Sequence, residues 1–204
     1  MAFQRIMMVK FAWLKYYQRQ RGDIPYGDIV YFNEEETLRS FANIAENSAF
    51  INCDGKCLGY FQTKGRSPRI EKIKGQMKNL NCKSVDNVLV IFCAPNPERN
   101  PKETISIVGW YKNATVYREG KRNEKFNLYY NICADFENCV LLPEDERNNN
   151  EIWFLNQSSE SLVHFGQASL YKFPPATAPE LQSVFAKIEN YDGENWCGKF
   201  FEVN

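Results

Sequence analysis

Residues 105–118 read ISIVGWYKNATVYR. Ile105, Ile107, Trp110, Tyr111, Val116 and Tyr117 suit a pleated, half-buried surface. Lys112-Asn113 interrupts that run and predicts a turn or bulge, a place where side chains are re-aimed toward a ligand. The stretch gathers aromatic, basic and amide groups within a few residues, and no catalytic signature elsewhere competes with it. It predicts a β-rich domain with an aromatic pocket.

The neighbouring segments extend the β reading. Val88 to Cys93 is a continuous apolar run, which suits a central strand buried on both faces. Residues 126–134 and 139–142 read as two more strands, separated by a polar turn. Toward the N-terminus, residues 3–13 place Phe3, Met7, Val9 and Phe11 on alternating positions. Residues 29–32 read as a short strand. Asp54-Gly55 sits between two β-type runs, 49–53 and 57–62, and predicts a tight hairpin because glycine accepts positive φ. Residues 94–102 carry three prolines and read as a loop, and residues 143–150 as a charged loop. The clearest helix spans 179–190. Thr177 is its expected N-cap, Glu180 completes a capping box, and Pro179 lies in the first turn. Leu181, Val184, Phe185 and Ile188 share one face at helical spacing.

Many short strands and little helix predict an α+β chain. The expected architecture is a curved β-sheet or small β-barrel with peripheral helices, whose open end gathers loops around a pocket. One β-rich domain over residues 1–204 is expected, with 33–46 and 63–83 as insertions.

Composition narrows the function classes. Apolar residues make up 44% of the 204 residues and aromatics 15%, enough for a core and a stacking surface. Basic and acidic residues balance at 25 each, so any polyanion must be met by a local basic face. Such a face is predicted along 56–83, with Lys64, Arg66 and Arg69. Seven cysteines, an odd number, with no leader-like N-terminus, read as free thiols in a reducing cytoplasm. No apolar run approaches the length of a membrane span.

Cys53-x3-Cys57 resembles half a zinc site, but two further ligands would have to come from distant positions. His164 is the single histidine, and no cysteine stands where a helix N-terminus or basic partner would activate it. Glu71-Lys72-Ile73-Lys74 and Glu144-Asp145-Glu146 hold carboxylates without the spacing of a metal-dependent nuclease. No metal or cofactor is expected. The remaining candidate is an aromatic pocket in which rings stack a base while amides and hydroxyls read its edge.

Val108-Gly109-Trp110, together with Gly59-Tyr60-Phe61-Gln62, the run Asp86-Asn87-Val88-Leu89-Val90, residues 139–147 and Phe165-Gly166-Gln167, resembles a bacterial domain attached to restriction-type endonuclease modules. More distantly the chain resembles the PUA-like superfamily (EVE, ASCH and YTH domains). That resemblance covers roughly residues 50–171. It implies a small curved β-barrel holding a modified or flipped base in an aromatic cage, as the sensor part of a restriction or defence system. The expected partner is DNA or RNA, with a nuclease partner or fused nuclease module. Trp110, Tyr60, Phe165, Trp13 and Tyr111 are the expected stacking residues. Asn113, Gln167 and Ser169 are expected to bond the base, and Lys112, Arg118, Lys64, Arg66 and Arg69 to hold phosphate. This predicts a binding module rather than an enzyme. The alternatives are a nuclease or nucleotide hydrolase with an unrecognised carboxylate site, and a protein-interaction adaptor.

Overall fold

A computed structural model describes residues 3–20, 23–26, 45–61, 68–74, 82–100, 102–165 and 171–201. Eight strands follow in chain order: β1 (Ile6–Lys10), β2 (Lys56–Gly59), β3 (Ser84–Ala94), β4 (Thr104–Asn123), β5 (Leu128–Asp135), β6 (Cys139–Leu141), β7 (Phe154–Asn156) and β8 (Tyr171–Lys172). Among the described residues two α-helices accompany them, α1 (Glu144–Asn149) and α2 (Pro179–Glu189). The class is mixed α+β.

The strands form one sheet in the order β2-β5-β4-β3-β1-β8, with β6 and β7 also paired to β4. Among the described strands only β1 and β3 pair in parallel. Of the two expectations, a curved sheet or a small barrel, the closed barrel does not form. Among the described residues β2 pairs only with β5 and β8 only with β1, so the sheet stays open.

The organising element is β4, a strand of 20 residues. One side pairs with β3. The other side meets three strands in succession: β7 at Thr104–Ser106, β6 at Gly109–Tyr111 and β5 from Thr115 onward. The Lys112-Asn113 insert falls at the seam between β6 and β5. There Tyr111 pairs with Val90 and Ala114 with Val88, so two β4 residues oppose Leu89 alone. That is a β-bulge, and Asn113 takes a φ of 52° within it.

The centre of the sheet is buried on both faces. In β1, Met7 and Val9 face one core while Ile6 and Met8 face the other. The same division splits Val90 and Phe92 from Leu89, Ile91 and Cys93 on β3. Near-continuous apolar runs are what two-sided burial requires. The first core is closed by residues 11–17, Phe50, Phe61, Ile70 and Ile73. The second is closed by α2 and by Leu142, Trp153, Val163 and Phe165. Helix α2 contributes Leu181, Val184, Phe185 and Ile188, the stripe its spacing predicts. Each such side chain is worth about 1.5–3 kcal/mol on burial.

Several local expectations change. The N-cap of α2 is Ala178, with no side-chain cap. Glu180 does not close a capping box; its Oε1 accepts from Ser161 Oγ and Leu162 N–H instead. Residues 144–149 form a helix, not a loop, and the buried Arg147 explains why. Its guanidinium donates to the carbonyls of Leu14 (2.8 Å) and Lys15 (2.5 Å) and lies over the Trp13 ring. This ties α1 to the N-terminal loop. The Asp54-Gly55 turn forms with both residues at positive φ, 53° and 79°. Its second arm, however, pairs with β5 while residues 49–53 stay irregular. Residues 29–32 lie outside the described residues.

Candidate nucleic-acid interface

Four of the five expected stacking residues are core. Trp110 is fully buried, stacks on Trp153 at 5.4 Å between ring centroids, and meets Tyr191 edge-on at 5.2 Å. Tyr111, its neighbour along β4, points into the opposite core, packs edge-on against Phe50 and Phe92, and donates its hydroxyl to the Ala49 carbonyl. Trp13 is buried beneath the Arg147 guanidinium, and Phe165 is buried in the α2 core. All four are at most 5% exposed, which leaves their faces inaccessible to a planar ligand from solvent. The sequence offered no warning, because rings at β spacing look the same whether they face a cavity or a second layer. Tyr60 alone is half-exposed. Its ring comes within 3.8 Å of the Cβ position of Gly120 on β4.

The polar candidates also divide. Arg118 is not available as a phosphate ligand. It donates to the carbonyls of Cys82 (2.7 Å) and Pro68 (3.0 Å) and pairs with the buried Glu71 at 2.7 Å. It clamps residues 68–74 to β4. Burial raises the Glu71 carboxyl, but the N–H of its own residue and the Arg118 guanidinium outweigh that, and the carboxyl ends below its ordinary range. Arg69 lies mostly in solvent, 3.5 Å from the same carboxylate. Asn113 is exposed and Lys112 half-buried at the bulge. Gln167, Ser169, Lys64 and Arg66 lie outside the described residues.

Accessible rings and cations instead meet where β4 leaves the core. Beyond Arg118, β4 pairs with β5 alone among the described strands, as a two-stranded ribbon: Lys121 opposite Tyr130, Arg122 opposite Tyr129, Asn123 opposite Leu128. The ribbon closes through Asn127 at a φ of 50°. Tyr117 and Tyr130 meet edge-to-face with centroids 6.1 Å apart. The Lys121 ammonium sits 3.7 Å over the Tyr117 ring. Arg122 lies 5.5 Å over Tyr129, which is 56% exposed, and Lys125 5.2 Å over Phe126. Between 118 and 125 there are four basic residues and two acidic ones.

Partial burial raises both phenols. Cys133 and Asp86 add to the effect on Tyr117, while Lys56 opposes it there and Lys121 opposes it on Tyr130. Both rings therefore stay neutral hydrogen-bond donors near neutral pH. Lys56 pairs with Asp135, and Thr115 donates to Asp86 (2.8 Å) on the neighbouring strands. Arg122 also pairs with Glu124 at 3.2 Å and Lys125 with Asp54 at 2.6 Å, while the Lys121 ammonium has only ring contacts among the described residues. The ribbon combines the half-exposed phenols of Tyr117 and Tyr130, the exposed Tyr129, and surface ammonium and guanidinium groups. This is the chemistry of stacking and phosphate attraction.

No protein-family model, no curated protein and no solved structure matches this chain.

The catalytic alternatives find their carboxylates engaged. Glu144 pairs with Lys15 at 3.1 Å, and Glu146 accepts from the Trp153 indole N–H at 3.1 Å and from Asn150 at 2.9 Å. Among the described residues no group of three His, Cys, Asp or Glu side chains is arranged to hold a metal ion. Cys53 and Cys57 belong to different hydrophobic clusters, and neither is part of a group of three such ligands among the described residues.

Proposed function

We propose that this chain is a nucleic-acid-binding module that takes unpaired DNA or RNA bases on the β4–β5 ribbon. The observation that carries the reading is the Tyr117–Tyr130 pair with Lys121 over Tyr117. A half-exposed phenol accepts a base by stacking once the lysine over it swings aside, and a lysine held by a ring rather than by a carboxylate can turn to a phosphate at little cost. Tyr129, Arg122 and Tyr60 extend that surface. A duplex hides its base faces, so ring stacking favours single strands or extruded bases. A modified or flipped base, read as part of a defence system, would meet these open rings rather than an enclosed cage.

The test is fluorescence anisotropy with labelled single-stranded and duplex oligonucleotides. Single strands should bind more tightly, affinity should fall as salt rises, and Tyr117→Ala should lose about 1–3 kcal/mol. Equal binding by a folded Tyr117→Ala protein removes the ribbon from the interface.

One observation favours a protein-interaction role as a second reading. Tyr16, Trp196 and Phe201 stack together at the surface beside Phe200, which is 78% exposed. Large exposed apolar groups of this kind mark contact surfaces. Concentration-dependent association that Phe200→Ser abolishes would support it.

A further inference from the structure

Three thiols from distant parts of the chain meet in the first core: Cys57 on β2, Cys139 at the start of β6, and Cys197 in the C-terminal segment. The Cys57 and Cys197 sulfurs lie 3.5 Å apart, in contact but not bonded. We propose that Cys57 and Cys197 are a redox pair that locks the C-terminal segment onto β2, with opening of that segment as the gate to oxidation. This stands independently of the ribbon's role.

Hydrogen bonds from several elements seat the segment, among them Gln20 donating to the Phe201 carbonyl and Phe201 N–H donating back to Gln20 Oε1 (3.4 Å). Trp196 N–H donates to the Leu141 carbonyl (2.8 Å), Gly198 N–H to the Phe50 carbonyl (2.9 Å), and Gln18 donates to the Trp196 carbonyl (2.9 Å). Asn195 bridges to β6, accepting from Leu141 N–H and donating to the Cys139 carbonyl. Rings of Trp196 and Phe201 lie against Tyr16. In the closed state Cys57 is fully buried and Cys197 nearly so. Cys139 and burial raise the Cys57 thiol; Cys57 and burial raise that of Cys197. The closed pair is therefore protonated and shielded, and it reacts when the segment lifts and a thiolate can form.

The co-reactant is a small-molecule disulfide. One protein thiolate attacks it, forms a mixed disulfide and releases one small thiol. While the segment is still lifted, the second protein thiol loses its proton to solvent and, as the two sulfurs approach, attacks the protein sulfur of that mixed disulfide and expels the second small thiolate, which takes up a proton. Two protein S–H groups become one S–S bond, and the small disulfide is reduced to two thiols. Closure brings Cys57 and Cys197 together, so the bond forms in the closed geometry and holds residues 195–201 down.

The test treats the reduced 204-residue chain with oxidised glutathione under native conditions, then maps peptides without reduction by mass spectrometry. Expected is a Cys57–Cys197 cross-linked peptide and an intact mass lower by two hydrogens. Cys197→Ala should abolish the link, while Cys139→Ala should retain it, with folding checked by circular dichroism. Gly198 tests the gate. It sits at a φ of +73°, and a Cβ there would lie 2.6 Å from the Phe136 ring. Gly198→Ala should unseat the segment and speed oxidation several-fold. A Cys57–Cys139 link, glutathione adducts as the end product, or no link under conditions that oxidise the urea-unfolded chain would each overturn the pairing. An unchanged rate in folded Gly198→Ala would overturn the gate.

Discussion

The two halves of β4 are built to opposite specifications. From Ile105 to Tyr111 every side chain is buried, and the strand is sandwiched between two cores. From Glu119 to Arg122 every residue is exposed, and the strand has left the layered part of the fold. The bulge at Lys112-Asn113 and the Arg118 clamp separate the two regimes. The difference teaches where rings serve stability and where they are free for a partner. Trp110 and Tyr117 are seven positions apart on one strand, yet the first is enclosed by Trp153 and Tyr191 and the second lies under a lysine at the surface.

The largest contrast should come from truncating the enclosed ring. Trp110→Ala should cost about 3–5 kcal/mol in urea unfolding, because it leaves a cavity beneath Trp153. Oligonucleotide affinity, measured on the fraction that stays folded, should not change. A mild loss of stability would mean that the inner half of β4 is less tightly packed than its burial indicates.

The clamp between the halves comes next. Removing the charge of Glu71 leaves Arg118 facing carbonyls without its counter-ion, and Glu71→Gln should cost about 3 kcal/mol. It also carries a pH signature. The folded-state carboxyl lies below its ordinary value of 4.5, so its contribution is fully present above that value. It is lost as pH falls through the lower folded value. Melting temperature against pH should fall below about pH 4.5 more steeply in the wild type than in Glu71→Gln. Parallel profiles would show that the pair does not govern the acid limb.

Gly109 sharpens the same comparison within the buried half. A Cβ there would approach the Val140 carbonyl oxygen to 2.3 Å, with Phe50 at 2.8 Å. The backbone of β6 cannot yield as a side chain can, so Gly109→Ala should cost about 1–3 kcal/mol. Gly120, on the exposed half, has only Tyr60 nearby at 3.8 Å. Gly120→Ala should shift thermal unfolding by less than about 0.5 kcal/mol.

Much of the frame was legible in the residues. The apolar run Val88–Cys93 suited a central strand, and the stripe on 181–188 suited a helix face turned to a core. The Lys112-Asn113 interruption was readable as a bulge because a polar pair breaks an otherwise apolar strand. The candidate site was far less legible. Alternation says which residues share a face but not how many layers cover it, so Trp110, Tyr111, Trp13 and Phe165 looked like pocket walls. Arg118 looked like a phosphate ligand because its partner Glu71 is 47 positions away. The ribbon could have been noticed. Tyr117, Tyr129 and Tyr130 flank the stretch 118–125, which holds four basic residues and none of the apolar residues a buried strand needs.

The most direct measurement is an anisotropy titration of the Tyr117→Ala/Tyr130→Ala double variant against a labelled single-stranded oligonucleotide at low salt. The two substitutions lie outside both main cores, so unfolding should change by no more than about 1 kcal/mol. Affinity for the single strand should fall at least tenfold, while the weaker duplex binding should change little. A folded double variant that binds single strands as well as the parent would contradict the account.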